Sequence, residues 1–303
     1  MTGEKSSLCG FINILKPPGM SSAQVVGRVR YLLKGTKIGH AGTLDPEAAG
    51  VLPLMIGKAT RLFDYMQEKE KAYIAEIAFG VSTKTQDAQG EVSERGENYP
   101  SEEVLNAIIP SFRGEIMQQP PMVSAIKRGG VPLYALALQG ETVDIEKRQV
   151  TVYELENFGE MENHGFRLYV KCSKGFYVRT LCHDIGEKLG CPAHMRFLLR
   201  TKSGVFTLDN AFTLEQIETA SINGTLENVI LPMNTVLTHI QHVEVPSKYH
   251  FALMNGTKIP IDALESSEIK IEKSKPFVLC MNERIVGIAK CVDDKAKICT
   301  WLA

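Results

Sequence analysis

The sequence predicts an α+β protein built on a largely antiparallel mixed sheet, followed by a small β-rich module. Short runs rich in β-branched and aromatic residues outnumber the helix-like stretches, and the two kinds do not alternate as strand–helix–strand units of a parallel sheet would. At 303 residues the chain also exceeds the usual size of one compact core, which favours a large domain followed by a smaller one.

The first strand is FINIL, Phe11 to Leu15. Ser21 or Ser22 can then cap a helix that brings Val25, Val26, Val29, Leu32 and Leu33 to one face. YIAEIAF, Tyr73 to Phe79, reads as the next strand, and Ser101 with Glu102 starts a second helix expected to bury Val104, Leu105, Ile108 and Ile109. VTVYEL from Val150, FRLYVKC from Phe166 and FLL near Phe197 extend the sheet, and TLEQIETA is helix-like. A boundary falls near Leu231 to Pro246, so that residues 1–240 form the large domain and 241–303 the small one. There, FVLCMNERIVGIAKC reads as a β-hairpin turning at Asn282, Glu283 and Arg284.

A hydrophobic share of 44% and a charged share of 23% exclude a disordered or fibrous chain. The N-terminus reaches Lys16 and two prolines before any signal-type core forms, and nothing later runs apolar for a membrane span, so a cytoplasmic protein is expected. The seven cysteines form no C-x-x-C pair and no tight cluster with histidine, which predicts reduced thiols and no metal. A net charge of −1 does not by itself suggest a nucleic-acid binder. The distribution is uneven, however. Arg28, Arg30, Lys34 and Lys37 lie in an acid-free stretch, and eight cations from Arg167 to Lys202 face only Asp184 and Glu187. Either these make one basic face for phosphates or the signs interleave on folding.

The most informative stretch is GHAGTLDPEAAGVLP, Gly39 to Pro53. Locally, Asp45 followed by Pro46 is a good helix start, the carboxylate capping free N–H groups. Gly39, Gly42 and Gly50 also bracket that carboxylate, as expected where backbone turns bring it close to a large ligand. A histidine and an aspartate at this spacing fit many hydrolases too, so the local signal does not choose.

Several further motifs follow in order: LKPPGMSS at Leu15, GKATRL at Gly57, EKAYIAEIAFGVSTKTQDAQG at Glu70, QQPPMVSAIKRGGVPLYALALQG at Gln118, KGFYVRTLCHDIGEKLG at Lys174 and AHMRFLLRTKSG at Ala193. Together with the Asp45 segment they resemble the TruB family of tRNA pseudouridine synthases. The tail, with LMNGTKI at Leu253 and the hairpin, resembles the PUA-like domain of many bacterial members.

The resemblance implies isomerisation of uridine 55 in the tRNA T-loop, by base flipping, without guide RNA or cofactor. It makes Asp45 the essential carboxylate, whether as nucleophile, base or stabiliser of sugar charge. It pairs Arg179 with Asp45, stacks Tyr73 on the target base with a share in proton handling, and makes Tyr177 and Leu198 pocket walls. His40 would push into the loop where the base had been, Lys16 and Arg61 would lie near the RNA backbone, and residues 120–150 would form an RNA-gripping thumb. Ser21, Val123 and Leu138 depart from the usual threonine, aromatic and basic residue, the last two within the thumb. The expected partner is tRNA, bound by a monomer needing no other protein and no membrane. Activity should therefore survive exhaustive chelation if the tRNA stays folded. The alternatives are a tRNA-binding or folding protein with secondary or lost catalysis, and an Asp-dependent hydrolase.

Overall fold

A computed structural model describes residues 8–66, 70–124, 126–141, 143–265 and 270–303. The start of the expected large domain, residues 1–7, and Ala125 and Thr142 of the expected thumb lie outside the described residues.

Seven strands form the backbone of the main sheet: β1 (Gly10–Lys16), β2 (Ala49–Ile56), β3 (Lys71–Phe79), β4 (Gly114–Gln118), β5 (Arg148–Met161), β6 (Gly165–Cys172) and β7 (Ala193–Ser203). Their spatial order is β1-β2-β7-β3-β6-β5-β4, with Ile38–His40 added beside β2 and Phe206–Thr207 beside β7. Only the β2–β7 pair on this path is parallel, so the sheet is mixed and largely antiparallel, as expected. Strand β3 is central, and helix α4 (Val178–Leu189) packs with it and β7 around Tyr73, Ile77, Leu181, Ile185 and Leu198. A second cluster joins Ile12, Ile14, Leu52 and Leu54 to helices α1 (Ser22–Leu32) and α5 (Leu214–Ile222).

Ser21 is the α1 cap, and a reciprocal capping box with Gln24 fixes where the helix begins. In α2 (Glu102–Ile108), Leu105 and the following Ile109 are buried as expected, but Val104 is 48% exposed. The helix is too short to cover more than one narrow stripe. Between β4 and β5 lie the small hairpin of Lys127–Arg128 and Val131–Pro132 and the helix α3 (Leu133–Leu138).

A separate five-stranded sheet draws all its strands from residues 242–301. Its hairpin of Phe277–Met281 and Arg284–Val292 turns on Asn282 and Glu283, at φ of 50° and 63°. Two successive left-handed residues give the turn a twist that matches its strands. Phe11, Val51 and Phe206 of the main sheet share an apolar cluster with Val278, Ile288 and Leu302 of this module. Among the described residues, no helix is long and apolar enough to cross a membrane.

Folding interleaves much of the basic stretch that begins at Arg167. Arg167 and Arg196 both meet Glu76, while Lys171 and Lys202 both meet Glu70, and Lys171 also pairs with Glu154. Strand alternation explains this, since residues distant in sequence but on one face of β3, β6, β5 and β7 become neighbours.

Candidate active site

Asp45 starts no helix. It opens a tight turn in which Ala48 N–H donates to the Asp45 carbonyl at 3.1 Å, and β2 follows at once. Three buried side chains hold this loop. Ser22 Oγ both donates to the Leu44 carbonyl and accepts from its N–H, at 3.0 and 2.9 Å. The Arg200 guanidinium, fully buried, donates to the carbonyls of Val51, Thr43 and Gly42. Gly50, at φ 110°, lets β2 approach the Arg200 backbone where any Cβ would collide with it.

Lys16 is the third clamp, and here the structure corrects the sequence reading. Its side chain is 0% exposed, and its ammonium donates to the carbonyls of Pro17, Met20 and Pro46 at 2.7, 2.6 and 2.8 Å. All three ammonium hydrogens are thus used on the chain itself, and no face remains for a phosphate. Lys16→Met should lower the unfolding free energy by about 2–4 kcal/mol, because three partly buried carbonyls would lose their shared charged donor. Denaturant titration, read as a lower midpoint at unchanged slope, checks this.

Arg179 lies in the first turn of α4 and is 4% exposed. Its Nε is 3.1 Å from Asp45 Oδ2, and its Nη2 donates to Asp45 Oδ1 at 3.4 Å and to the Val123 carbonyl at 2.9 Å. Its Nη1 donates to Asp87 Oδ2 at 3.3 Å and to the Thr85 carbonyl at 3.2 Å. The planar fork therefore joins two carboxylates from different loops and fixes the direction of the Asp45 group. Burial pushes the Asp45 carboxyl above the ordinary aspartate range, with the Arg179 guanidinium opposing that rise and Asp87 adding to it.

Asp45, Arg179, Tyr73, Tyr177 and Leu198 all line one cavity of about 230 Å³, with Lys71 on its wall. Four of these five stand on β3, β7 or at the start of α4, so the sheet supplies the walls and the Asp45 loop the reactive group. Tyr73 is 5% exposed, and burial raises its phenol strongly while the Arg200 guanidinium beside it opposes the rise. Tyr177 is held by its backbone: Gln118 donates to its carbonyl at 2.9 Å and accepts from its N–H at 2.7 Å. An anchored carboxylate beside a guanidinium, with a buried phenol and an aliphatic wall, can hold a flat, uncharged ring and act on a carbon next to it.

His40 is not among the residues lining that cavity. It ends the short strand beside β2, half-buried, and its Nδ1 has no hydrogen-bond partner among the described residues. Burial first, then Arg200, lower its pKa, which favours the neutral imidazole. Arg61 is exposed and donates to the Trp301 carbonyl at 2.7 Å, tying the segment after β2 to the C-terminal strand. Asp87, Gln118 and Arg200 had no assigned role in the sequence reading, although all three lie within its quoted motifs. Their parts become visible only when partners 59 to 158 residues away are brought together, and no local spacing signals that.

The profile of the TruB family pseudouridylate synthase (N terminal domain) matches residues 30–178, and that of the tRNA pseudouridylate synthase B C-terminal domain matches 179–238. The chain is 40% identical over 287 residues to "tRNA pseudouridine synthase B" of Pelotomaculum thermopropionicum, covering 93% of this chain and 90% of that one. It is 46% identical over 237 residues to the protein of the same name from Bacillus licheniformis, covering 76% and 77%. Among solved structures, a chain of a Cbf5-Nop10-Gar1 complex superposes with a TM-score of 0.70 at 27% identity, covering 95% of this chain and 82% of that one.

Proposed function

Since the chain belongs to the TruB family and is an isomerase of tRNA uridine, we propose that it converts uridine 55 of the T-loop to pseudouridine, flipping the base into the Asp45 cavity without a guide RNA. The observation that carries this reading is the pairing of Asp45 with Arg179 on the wall of a cavity closed by Tyr73, Tyr177 and Leu198. Asp45 acts on the ribose carbon, Arg179 holds it ionised and aimed, and Tyr73 stacks on the uracil with Tyr177 and Leu198 around it. Substrate and product are isomers, so no redox carrier or activated donor takes part.

Residues 1–240 form the catalytic domain, residues 120–150 within it act as the thumb that grips the RNA, and residues 241–303 are a PUA-like RNA contact. Arg61 binds backbone phosphate from the junction between them. The protein works as a cytoplasmic monomer on folded tRNA, reading mainly the shape of the loop. Incubating an unmodified tRNA transcript with the purified protein alone tests this. Pseudouridine is expected among the product nucleosides, whereas free uracil or an abasic ribose would mean hydrolysis, and unchanged uridine would mean a binding protein.

Extruding a stacked base costs a few kcal/mol, which something must offset. His40 does so by filling the space the base leaves. His40→Ala should therefore reduce activity on a folded T-loop more than on an unstructured strand, if the latter is accepted. Equal losses on both would place His40 in catalysis or general binding. Because the imidazole is neutral, the ionic-strength slope of binding should hardly change.

A further inference from the structure

Lys71 and Tyr73 stand two residues apart on β3 and therefore share a face of the sheet. Both line the Asp45 cavity. Lys71 also lines an adjoining apolar cavity of about 220 Å³ with Phe63, Phe206 and His239, so its side chain stands between the two spaces. Its ammonium lies over the catalytic loop, where a Cβ placed on Gly42 would be 3.4 Å from Nζ. On the opposite face of the sheet, by contrast, Lys171 and Lys202 both reach Glu70. Among the described residues, the half-buried Lys71 ammonium has neither an ion pair nor a hydrogen bond. Withdrawing an unpaired ammonium from water is costly, and such a group calls for an anionic or strongly accepting ligand.

The reaction supplies one. When the bond from ribose C1′ to uracil N1 breaks, its electron pair stays with the base and spreads over N1, O2 and O4. After the base turns, a pair from that anion forms the C5–C1′ bond. The C5 proton is then lost to a base of the site or to water and N1 gains a proton, so atoms and charge balance. Asp45, itself negative, cannot stabilise the uracil anion. Arg179 is committed to two carboxylates and two carbonyls, and Arg200 to three carbonyls.

Resting on the isomerase reading above, we propose that Lys71 is a further catalytic residue, whose ammonium donates to a uracil oxygen and takes up the charge left on the departing base. Burial and the Arg200 charge bring its pKa down to about 8, which keeps it mostly protonated at neutral pH.

Single-turnover reactions on tRNA carrying uridine or 5-fluorouridine at the target test this, because the more acidic fluorinated base leaves with less need of a cation. Lys71→Met is expected to slow loss of the uridine nucleoside about 100-fold, to slow loss of 5-fluorouridine about tenfold less than that, and to leave tRNA affinity within a few-fold. Lys71→Arg should recover most of the rate. Equal slowing on both bases would overturn the proposal, as would weaker binding at an unchanged rate with a shallower salt slope, the mark of a phosphate contact. A wild-type protein that forms no pseudouridine in tRNA would instead remove the isomerase reading itself, before any variant is compared.

Discussion

Asp45→Asn is expected to abolish pseudouridine formation while tRNA affinity stays within about tenfold of the wild type. The substitution keeps the size of the side chain and a hydrogen-bonding oxygen for Arg179, and removes only the charge. Each role open to Asp45, as nucleophile, base or stabiliser of developing sugar charge, needs the ionised oxygen. Folding should not suffer. A carboxyl whose pKa is raised in the folded state costs stability once pH exceeds its unfolded value, and Asn mimics the protonated form. The variant should therefore unfold at neutral pH no more easily than the wild type. Position-resolved detection of pseudouridine, with filter binding and thermal unfolding, checks all three statements, and substantial turnover would take Asp45 out of its role.

Arg179→Met should lower the single-turnover rate at neutral pH by about 100-fold or more, and should also shift its pH dependence. In the wild type the acid limb should lie above the ordinary aspartate range of about 3.9, because burial outweighs the guanidinium. Removing the cation takes away the largest opposing cause and leaves Asp87 nearby, so the Asp45 pKa rises further and the limb moves to higher pH. The rate deficit should consequently narrow as pH is raised. Arg179→Lys keeps a charge but loses the fork and should fall between. A cost near the lower end of about 3–5 kcal/mol is also expected, since two carboxylates lose their shared partner but both are partly open to solvent. A pH–rate profile of Arg179→Met that parallels the wild type would show that the arginine serves only structure.

The sheet was largely legible in the sequence because β-branched and aromatic runs such as YIAEIAF and FRLYVKC are long enough to declare a strand, and the Asn282-Glu283 turn declares its hairpin. The helix starts at Ser21 and Ser101 were legible for a similar reason, since a cap is a local feature. Val104 was misread because the helical spacing defines a face, but only tertiary contact decides how wide a stripe is covered. The helix start at Asp45 failed because Lys16, Arg200 and Ser22 bind the loop carbonyls and N–H groups from elsewhere, overriding the local preference. Lys16 itself illustrates the limit. A lysine before two prolines looks like a surface cation, and only the folded chain reveals three carbonyls converging on it. Asp87 sits in a polar loop with nothing local to set it apart, and its contact with Arg179 spans 92 residues. Lys71 was accessible in principle, two positions before Tyr73 on the same strand face.

The most direct test of the central claim is a position-by-position map of pseudouridine in unmodified tRNA treated with the purified protein and nothing else. A new pseudouridine at position 55, absent with Asp45→Asn, is the predicted result. Pseudouridine confined to other positions, or formed at 55 as readily by the Asp45→Asn variant, would contradict it.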